Sequence, residues 1–175
     1  ELGLQTIHEK TAQYIRRGYR LSCFDQAVEN LRKRNIEVIV HTILGLPGES
    51  REEILETMRY LNKKDIQGIK LQLLHVLKGT DLAYDYLAGR FHVYEREEYL
   101  ALLIECLENL DPEIVIHRIT GDGPKDLLIA PLWASRKREV LNLLHHQMKE
   151  QNSYQGKSLK VPDCERAEGT DMLRM

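Results

Sequence analysis

Two spacings of apolar residues alternate along the first half of the chain, and they predict alternating strands and helices. Residues 2–6, 36–44 and 69–77 are short and mostly apolar runs, the second of them rich in β-branched residues. Such runs are typical of strands that are covered on both faces of a parallel sheet. Between them, apolar residues recur at intervals of three and four, as on one face of a helix. The sequence therefore predicts strand, helix, strand, helix, strand.

The predicted helices carry local start and stop signals. A weak helix over residues 8–16 is ended by Gly18, and a stronger one follows from Phe24. Ser50 stands where a helix N-cap belongs, and Glu53, three residues later, completes a capping box. The apolar face of the helix that follows consists of Ile54, Leu55, Met58 and Leu61.

The elements repeat with a period of about 33 residues, which is the size of a βαβ unit. Such units build parallel sheets with right-handed crossovers. We therefore expect an α/β fold with three to four parallel strands and flanking helices. A doubly wound sheet and part of a (β/α) barrel both satisfy the spacing, so periodicity leaves both open.

The second half of the chain predicts further elements at less regular spacing. We expect a long helix over residues 94–110, a strand over 113–119 and a last helix over 137–149. Residues 120–124, Thr-Gly-Asp-Gly-Pro, have the composition of a turn. The resulting division is a first unit over 1–90, an α/β extension over 91–150 and a polar, flexible tail over 151–175.

Composition and charge restrict the classes of partner and the compartment. The formal net charge is −2, so the overall charge gives no reason to expect nucleic-acid binding, although it is compatible with a local basic patch. No apolar run reaches the length of about 18 residues that a membrane-spanning helix needs. Cys23, Cys106 and Cys164 are scattered and odd in number. They argue against a disulfide framework and favour a reducing, cytoplasmic location.

Several polar residues interrupt the apolar runs near the predicted carboxyl edge of the sheet, where α/β folds bind ligands. His41 and His75 lie late in otherwise apolar strands, and are either hydrogen-bonded core residues or residues that face a ligand. Gln5 also lies in an apolar strand, and a buried amide needs hydrogen-bond partners. Residues 45–48, Gly-Leu-Pro-Gly, either bring backbone close to a ligand or only connect strand to helix.

Several familiar site motifs are missing from the sequence. Neither GxGxxG nor GxxxxGK(S/T) occurs, so a dinucleotide site or a P-loop has no support. His145 and His146 are adjacent on a predicted helix and no HExxH is present, so we expect no metal site there. A generic (β/α) hydrolase is not supported, because the sequence shows no nucleophile and base that would act together.

Four segments together resemble the second half of a radical S-adenosylmethionine enzyme: ELGLQT at residue 1, a helix followed by Arg17, HTILGLPGES at residue 41 and LQLLHVLKGT at residue 71. The similar groups are the oxygen-independent coproporphyrinogen oxidases and the bacterial radical proteins that are like the elongator catalytic subunit. The segment ITGDGPKDLLIAPLW, from residue 119, resembles a bacterial subfamily associated with modification of the tRNA wobble uridine. The resemblance covers residues 1–144.

The resemblance implies a fragment of a partial (β/α)6 barrel, with this chain supplying strands four to six and C-terminal helices. In that family a CxxxCxxC loop binds a [4Fe-4S] cluster, and reductive cleavage of S-adenosylmethionine yields a 5′-deoxyadenosyl radical. No CxxxCxxC occurs in this sequence. We therefore expect the cluster cysteines upstream of Glu1 in a longer chain, and no cluster or activity in this fragment alone.

Six residues match positions that contact the cofactor in the family: Gln5, Arg17, His41, Ile43, Gly45 and His75. The resemblance gives Gln5 and Arg17 direct contacts to the cofactor, and a cation suits the cofactor's carboxylate. His41 stands where the coproporphyrinogen oxidase type has an aspartate for the ribose. A neutral imidazole also forms hydrogen bonds with a hydroxyl.

The remaining three matches concern the adenine of the cofactor. Ile43 and Gly45 correspond to an apolar strand edge beside the base. His75 corresponds to a residue whose backbone contacts the adenine edge.

The resemblance also implies substrate contacts and partners. Substrate residues are expected around Arg118, Asp122 and Lys125, and the substrate is expected to be tRNA. The basic run 136–138 either contacts RNA phosphates or is a solvated helix face. The free edge of the first strand predicts a dimer of the fragment. A porphyrinogen-type substrate, or a non-catalytic binding or scaffold domain, are the alternatives.

Overall fold

The structure, a computed structural model, describes residues 1–121 and 123–159. In chain order its elements are β1 (Leu2–Gln5), α1 (Glu9–Tyr14), α2 (Leu21–Arg32), β2 (Ile39–Leu44), α3 (Arg51–Leu61), β3 (Gly68–Leu73), β4 (Val76–Leu77), α4 (Asp81–Leu87), α5 (Arg96–Glu108), β5 (Val115–Arg118), β6 (Leu128–Ala130), a 3₁₀ helix (Leu132–Ser135) and α6 (Lys137–Glu150).

A four-stranded parallel sheet forms the centre of the molecule, in the order β1-β2-β3-β5. Successive strands are neighbours, and helices α2, α3 and α5 lie on the connections between them, as βαβ units require. The predicted α/β class, with parallel strands and flanking helices, is confirmed. The capping box at the start of α3 is confirmed too, since the side chains of Ser50 and Glu53 each bond to the other's backbone N–H.

The two faces of the sheet have different environments. Alternate residues of β2 and β3 point into one buried core, which continues into α5 and α6: among them are Val40, Thr42, Leu44, Ile69, Leu71 and Leu73. The residues between these, including His41, Ile43, Lys70 and Gln72, are only half-buried. We call the half-buried side the open face. The core cluster contains residues from both predicted units, 1–90 and 91–150.

The strand predicted over residues 69–77 is instead two strands in two different sheets. β3 ends at Leu73, and the Leu74 N–H donates to the carbonyl of Leu44 at 3.0 Å. Val76 and Leu77 then pair antiparallel with β6, a strand that the sequence pattern did not predict. The short sheet has its own small core of Val76, Ala83 and Ala130. The partner strand β2 ends at Leu44, opposite Leu73, and the chain beyond it pairs with β6 instead.

The predicted flexible tail is ordered over its first nine residues. The Gln155 side-chain amide donates to the carbonyls of Asp111 at 2.6 Å and Ile114 at 2.8 Å. The Gly156 N–H donates to the carbonyl of Leu107 at 3.0 Å. Residues 160–175, with Cys164, lie outside the described residues. Over the described part of the chain, none of the helices has the length and apolar character needed to span a membrane.

Candidate functional site at the carboxyl edge of the sheet

Gln5 ends β1 in an unusual backbone conformation. Its φ is +61°, in the left-handed region that residues with a Cβ rarely adopt, and the pairing of β1 with β2 shifts register between Gly3 and Gln5. The Gln5 amide folds back over Gly3, where an added Cβ would lie 2.5 Å from Nε2. The glycine therefore leaves the space that the Gln5 side chain uses, which the spacing of the motif did not reveal.

Arg17 lies beside Gln5, but its guanidinium is turned toward its own chain. The side chain is 1% exposed, and Nη1 donates to the carbonyls of Leu4 at 3.2 Å and Thr6 at 2.7 Å. Nε donates to the carbonyl of Tyr19 at 2.9 Å, and Nη2 reaches the Glu9 carboxylate at 3.3 Å. The structure therefore brings Arg17 and Gln5 together, although the arginine does not face the open edge.

Tyr19 and Glu49 complete the surroundings of Gln5, and sequence reasoning missed both. The Tyr19 hydroxyl contacts the Gly3 carbonyl and lies 3.3 Å from Gln5 Oε1. Glu49 Oε1 is buried without a hydrogen-bond partner among the described residues, and burial raises the pKa of the Glu49 carboxyl. Nothing local in the sequence marks these contacts, although Glu49 does sit between the glycine turn and the N-cap of α3.

Gly45 and Ile43 lie where β2 ends. Gly45 has a φ of +86°, and an added Cβ would lie 2.9 Å from Cδ2 of Tyr94. The turn therefore needs glycine both for its conformation and for the close approach of the Tyr94 ring. Ile43 lies on the open face in register with Gln72 of β3.

His41 belongs to a polar network lower on the open face. Gln72 Nε2 lies 2.9 Å from His41 Nδ1, and since an amide nitrogen only donates, Nδ1 accepts and Nε2 carries the proton. His41 Nε2 then donates to Glu1 at 2.8 Å, and Glu1 also pairs with Lys70. His41 precedes Gly45 by four residues, about 13 Å along a strand. His41 is therefore far from Gly45, but it pairs in register with Gly3, and Gln5 pairs with the next residue, Thr42.

The network predicts a pH dependence of stability. Hydrogen bonds from Lys70 and then His41 lower the pKa of Glu1 from 4.5 to about 2. A lowered carboxyl pKa adds stability above the unfolded-state pKa, and this stability is lost as pH falls through the folded-state value. We expect Glu1→Gln to lower the melting temperature equally from pH 7 to pH 5, and less toward pH 3. Thermal melts followed by circular dichroism at each pH measure this difference.

The exposed residue Glu37 supplies the matched control, because Glu37→Gln removes the same charge elsewhere on the surface. A difference between wild type and Glu1→Gln that stays constant down to pH 3 would contradict the assignment.

His75 lies in the connection between β3 and β4, with its ring against two glycines of the 120–124 loop. A Cβ on Gly121 would lie 2.9 Å from His75 Cε1, and one on Gly123 would lie 2.7 Å from Nδ1. His75 Nε2 is buried without a hydrogen-bond partner among the described residues. Burial, and secondarily the charge of Lys137, lower the pKa of His75, so its ring is neutral at pH 7.

The contact between loop and ring is testable by substitution. Gly123→Ala forces a methyl group into the His75 ring, and overpacking of this kind costs about 1–3 kcal/mol of unfolding free energy. Urea unfolding followed by circular dichroism measures the loss. The same substitution in a His75→Ala background should cost much less, because the ring is gone. Equal losses in the two backgrounds would show that the ring is not what Gly123 accommodates.

The three predicted substrate residues are not in one cavity. Arg118, at the end of β5, lines a cleft of about 460 Å³ between β5 and α6, together with Lys137 and apolar residues of α6. Lys125 instead lines a neighbouring cavity of about 390 Å³ with Trp133 and Arg136. Asp122 lies outside the described residues.

The described residues suit a nucleoside-containing cofactor but not an iron–sulfur cluster. The Gln5 amide, the Gly45 turn and the buried, unpartnered His75 Nε2 provide polar and backbone groups near the carboxyl edge, as a nucleoside-containing cofactor requires. The described part of the chain contains no ligand set for a cluster: its cysteines Cys23 and Cys106 are far apart in sequence, and burial raises the pKa of the Cys106 thiol to about 12. No group of three metal-binding side chains exists within residues 1–121 and 123–159.

Comparison with known proteins agrees with the fold. Residues 1–61 match the family described as Radical SAM superfamily, and residues 66–150 match the Radical_SAM C-terminal domain. Protein YtqA of Bacillus subtilis is 44% identical over 157 residues, which are 90% of this chain and 49% of YtqA. The chain thus spans about half the length of this relative.

Two more distant proteins are similar over most of the chain. A tRNA uridine(34) acetyltransferase of Dehalococcoides mccartyi is 28% identical over 153 residues, which are 84% of this chain and 33% of that protein. The solved structure of archaeal Methanocaldococcus infernus Elp3, lacking N-terminal residues 1–46, superposes with a TM-score of 0.76. The superposition covers 88% of this chain and 36% of that one at 19% identity, so it establishes the fold alone.

Proposed function

Because the chain belongs to the radical SAM superfamily, we propose that the full-length protein cleaves S-adenosylmethionine reductively and modifies tRNA. A [4Fe-4S] cluster and S-adenosylmethionine, given one electron by a reductant, would supply the chemistry of hydrogen-atom abstraction, and the residues of this chain would bind and orient the cofactor. The observation that carries the proposal is the geometry of Gln5 at the carboxyl end of β1. Its backbone is left-handed, and its side-chain amide lies over Gly3. Gln5, which matches a cofactor-contacting residue of the family, thus also has an unusual backbone conformation.

The residues proposed to surround the cofactor divide into two groups. Gln5, Ile43, Gly45 and the backbone of His75 belong to the strand ends and the turns that follow them. They are proposed to contact the methionine and adenine parts of the cofactor. His41 lies on the open face opposite Gly3, below Ile43 and Gly45, and its network with Gln72 suits a hydroxyl group there, whether of ribose or of substrate.

This chain alone is proposed to be inactive. The sequence contains no CxxxCxxC, and the cluster cysteines are proposed to lie in the remainder of the full-length protein. Without the cluster, the methionine end of the cofactor loses its anchor. Residues 1–175, treated with iron and sulfide, serve as the inactive reference in any assay.

The tRNA substrate is supported by the named relative and by charge. A similar protein is called a tRNA uridine(34) acetyltransferase. Lys125 and Arg136 line one cavity beyond the carboxyl edge, where phosphate groups would find cations. Substrate contacts are proposed from this region and from Arg118.

The experiment that tests the function is 5′-deoxyadenosine formation by the anaerobically reconstituted full-length protein with a chemical reductant. We expect product, with more turnover when unmodified tRNA is added. Stimulation by a porphyrinogen, with none by tRNA, would show that the substrate is a porphyrinogen and not tRNA. No product, with iron and sulfide shown to be bound, would overturn the catalytic proposal in favour of a binding or scaffold role.

A further inference from the structure

Two hydrogen bonds of the Arg17 side chain lie on either side of Gln5. Its Nη1 bonds to the carbonyls of Leu4 and Thr6, which are the residues immediately before and after Gln5. We propose that Arg17 is a positioning residue, which holds Gln5 in its left-handed conformation and acts on the cofactor only through Gln5. The identity of the ligand rests on the proposed function, whereas the role in holding Gln5 does not.

The guanidinium has too few free donors to bind a carboxylate directly. Arginine has five N–H groups, and a carboxylate is normally gripped by two of them in parallel. In Arg17 the Nε group, both Nη1 groups and one Nη2 group have acceptors in the chain itself. Since the side chain is 1% exposed, a direct grip would have to break this set.

The charge of Arg17 is also compensated without a ligand. The Glu9 carboxylate lies 3.3 Å from Nη2, and the same carboxylate accepts from the Leu21 N–H at 2.6 Å. The Tyr19 ring lies under the guanidinium, with 5.0 Å between Cζ and the ring centroid. The Glu9 carboxylate and the Tyr19 ring thus stabilise the buried cation, which needs no anionic ligand.

Gln5 needs such support because its conformation is unfavourable for a residue with a Cβ. Arg17 fixes the backbone on both sides, and the Tyr19 hydroxyl lies beside Gly3 O and Gln5 Oε1, which orients the amide. Leu4 and Thr6 are fully buried. The Leu4 carbonyl also accepts from the Thr6 N–H at 2.8 Å, whereas the Thr6 carbonyl accepts from Arg17 at 2.7 Å. Loss of the guanidinium would therefore leave a buried carbonyl of the strand end without this donor, and the strand end would rearrange. The amide of Gln5 would then move from its place over Gly3.

A double-mutant cycle in the full-length protein separates positioning from direct contact. S-adenosylmethionine dissociation constants are measured by calorimetry for Arg17→Gln, Gln5→Ala and the double variant, without reductant and therefore without turnover. We expect each single substitution to weaken binding about tenfold, and the double variant to bind no more weakly than Gln5→Ala. Losses that multiply in the double variant would overturn the proposal, because they require an independent contact from Arg17.

The neighbouring arginine supplies the matched control. Arg16 is 78% exposed and pairs with Asp81 at 2.6 Å, so Arg16→Gln should leave the affinity unchanged. Arg17→Lys keeps the charge and loses the two-carbonyl geometry. It should therefore weaken binding as much as Arg17→Gln, and an affinity restored by lysine would contradict the positioning role.

Two further measurements keep the test open if Arg17→Gln does not fold or the cofactor does not bind. Tyr19→Phe keeps the ring under the guanidinium and removes the hydroxyl, so it should weaken binding in the wild type but not in Gln5→Ala. Crystal structures without cofactor should show Gln5 in the left-handed region in Arg16→Gln, and outside it in Arg17→Gln or Arg17→Lys. Gln5 unmoved in both Arg17 variants would overturn the proposal whether or not the protein binds S-adenosylmethionine.

Discussion

Gln5→Ala in the full-length protein should lower kcat/KM for 5′-deoxyadenosine formation by about 10- to 100-fold. The amide is held beside the Tyr19 hydroxyl at 3.3 Å, so its donors and acceptor are oriented before any ligand binds. A hydrogen bond to a charged group contributes about 1.5–3 kcal/mol, and about 1.4 kcal/mol corresponds to a tenfold change. Product is quantified by chromatography after anaerobic reduction, with bound iron measured in each variant.

The control for this substitution is Gln13→Ala, which removes the same side chain from an exposed position on α1. It should leave the rate unchanged. A wild-type rate in Gln5→Ala, at full iron content, would remove Gln5 from the site and with it the observation that carries the proposed function.

Reversing two charges at the start of α6 should weaken tRNA binding by the full-length protein at least tenfold at physiological salt. Arg136 is 71% exposed at its side chain and lines the cavity that contains Lys125, and Arg138 is exposed nearby. Each phosphate contact lowers the slope of log affinity against log salt by about 0.7–0.9. Arg136→Glu with Arg138→Glu should therefore flatten the slope by about 1.4–1.8, as measured by filter binding or fluorescence anisotropy.

Arg59 offers a control reversal on another helix, where it pairs with Glu52. Arg59→Glu should change neither the affinity nor the salt slope for tRNA. If the reversal on α6 leaves the salt slope intact, the basic run is a solvated helix face. The partner of Arg136 within the chain, Glu139 at 3.6 Å, would then account for its position.

Local patterns in the sequence were sufficient for the parallel sheet. The apolar runs, the helical spacings and the capping box of Ser50 and Glu53 specify hydrogen bonds and burial within a few residues, and the structure confirms them. In the strand order β1-β2-β3-β5, strands that follow one another in the chain lie side by side, as is usual for βαβ units. The absence of a cluster motif is likewise a property of the sequence alone.

Tertiary structure alone decided which side chains meet at the carboxyl edge. The break after Leu73 depends on β6, more than fifty residues later, and the environment of His75 depends on Gly121 and Gly123. The family resemblance predicted that Gln5 and Arg17 belong to one site, but only the folded chain turns the guanidinium inward to the carbonyls around Gln5. The physical reason is that a side chain's rotamer and hydrogen-bond partners are chosen by packing among distant segments. Periodicity fixes which face a residue occupies and leaves its partners to the fold.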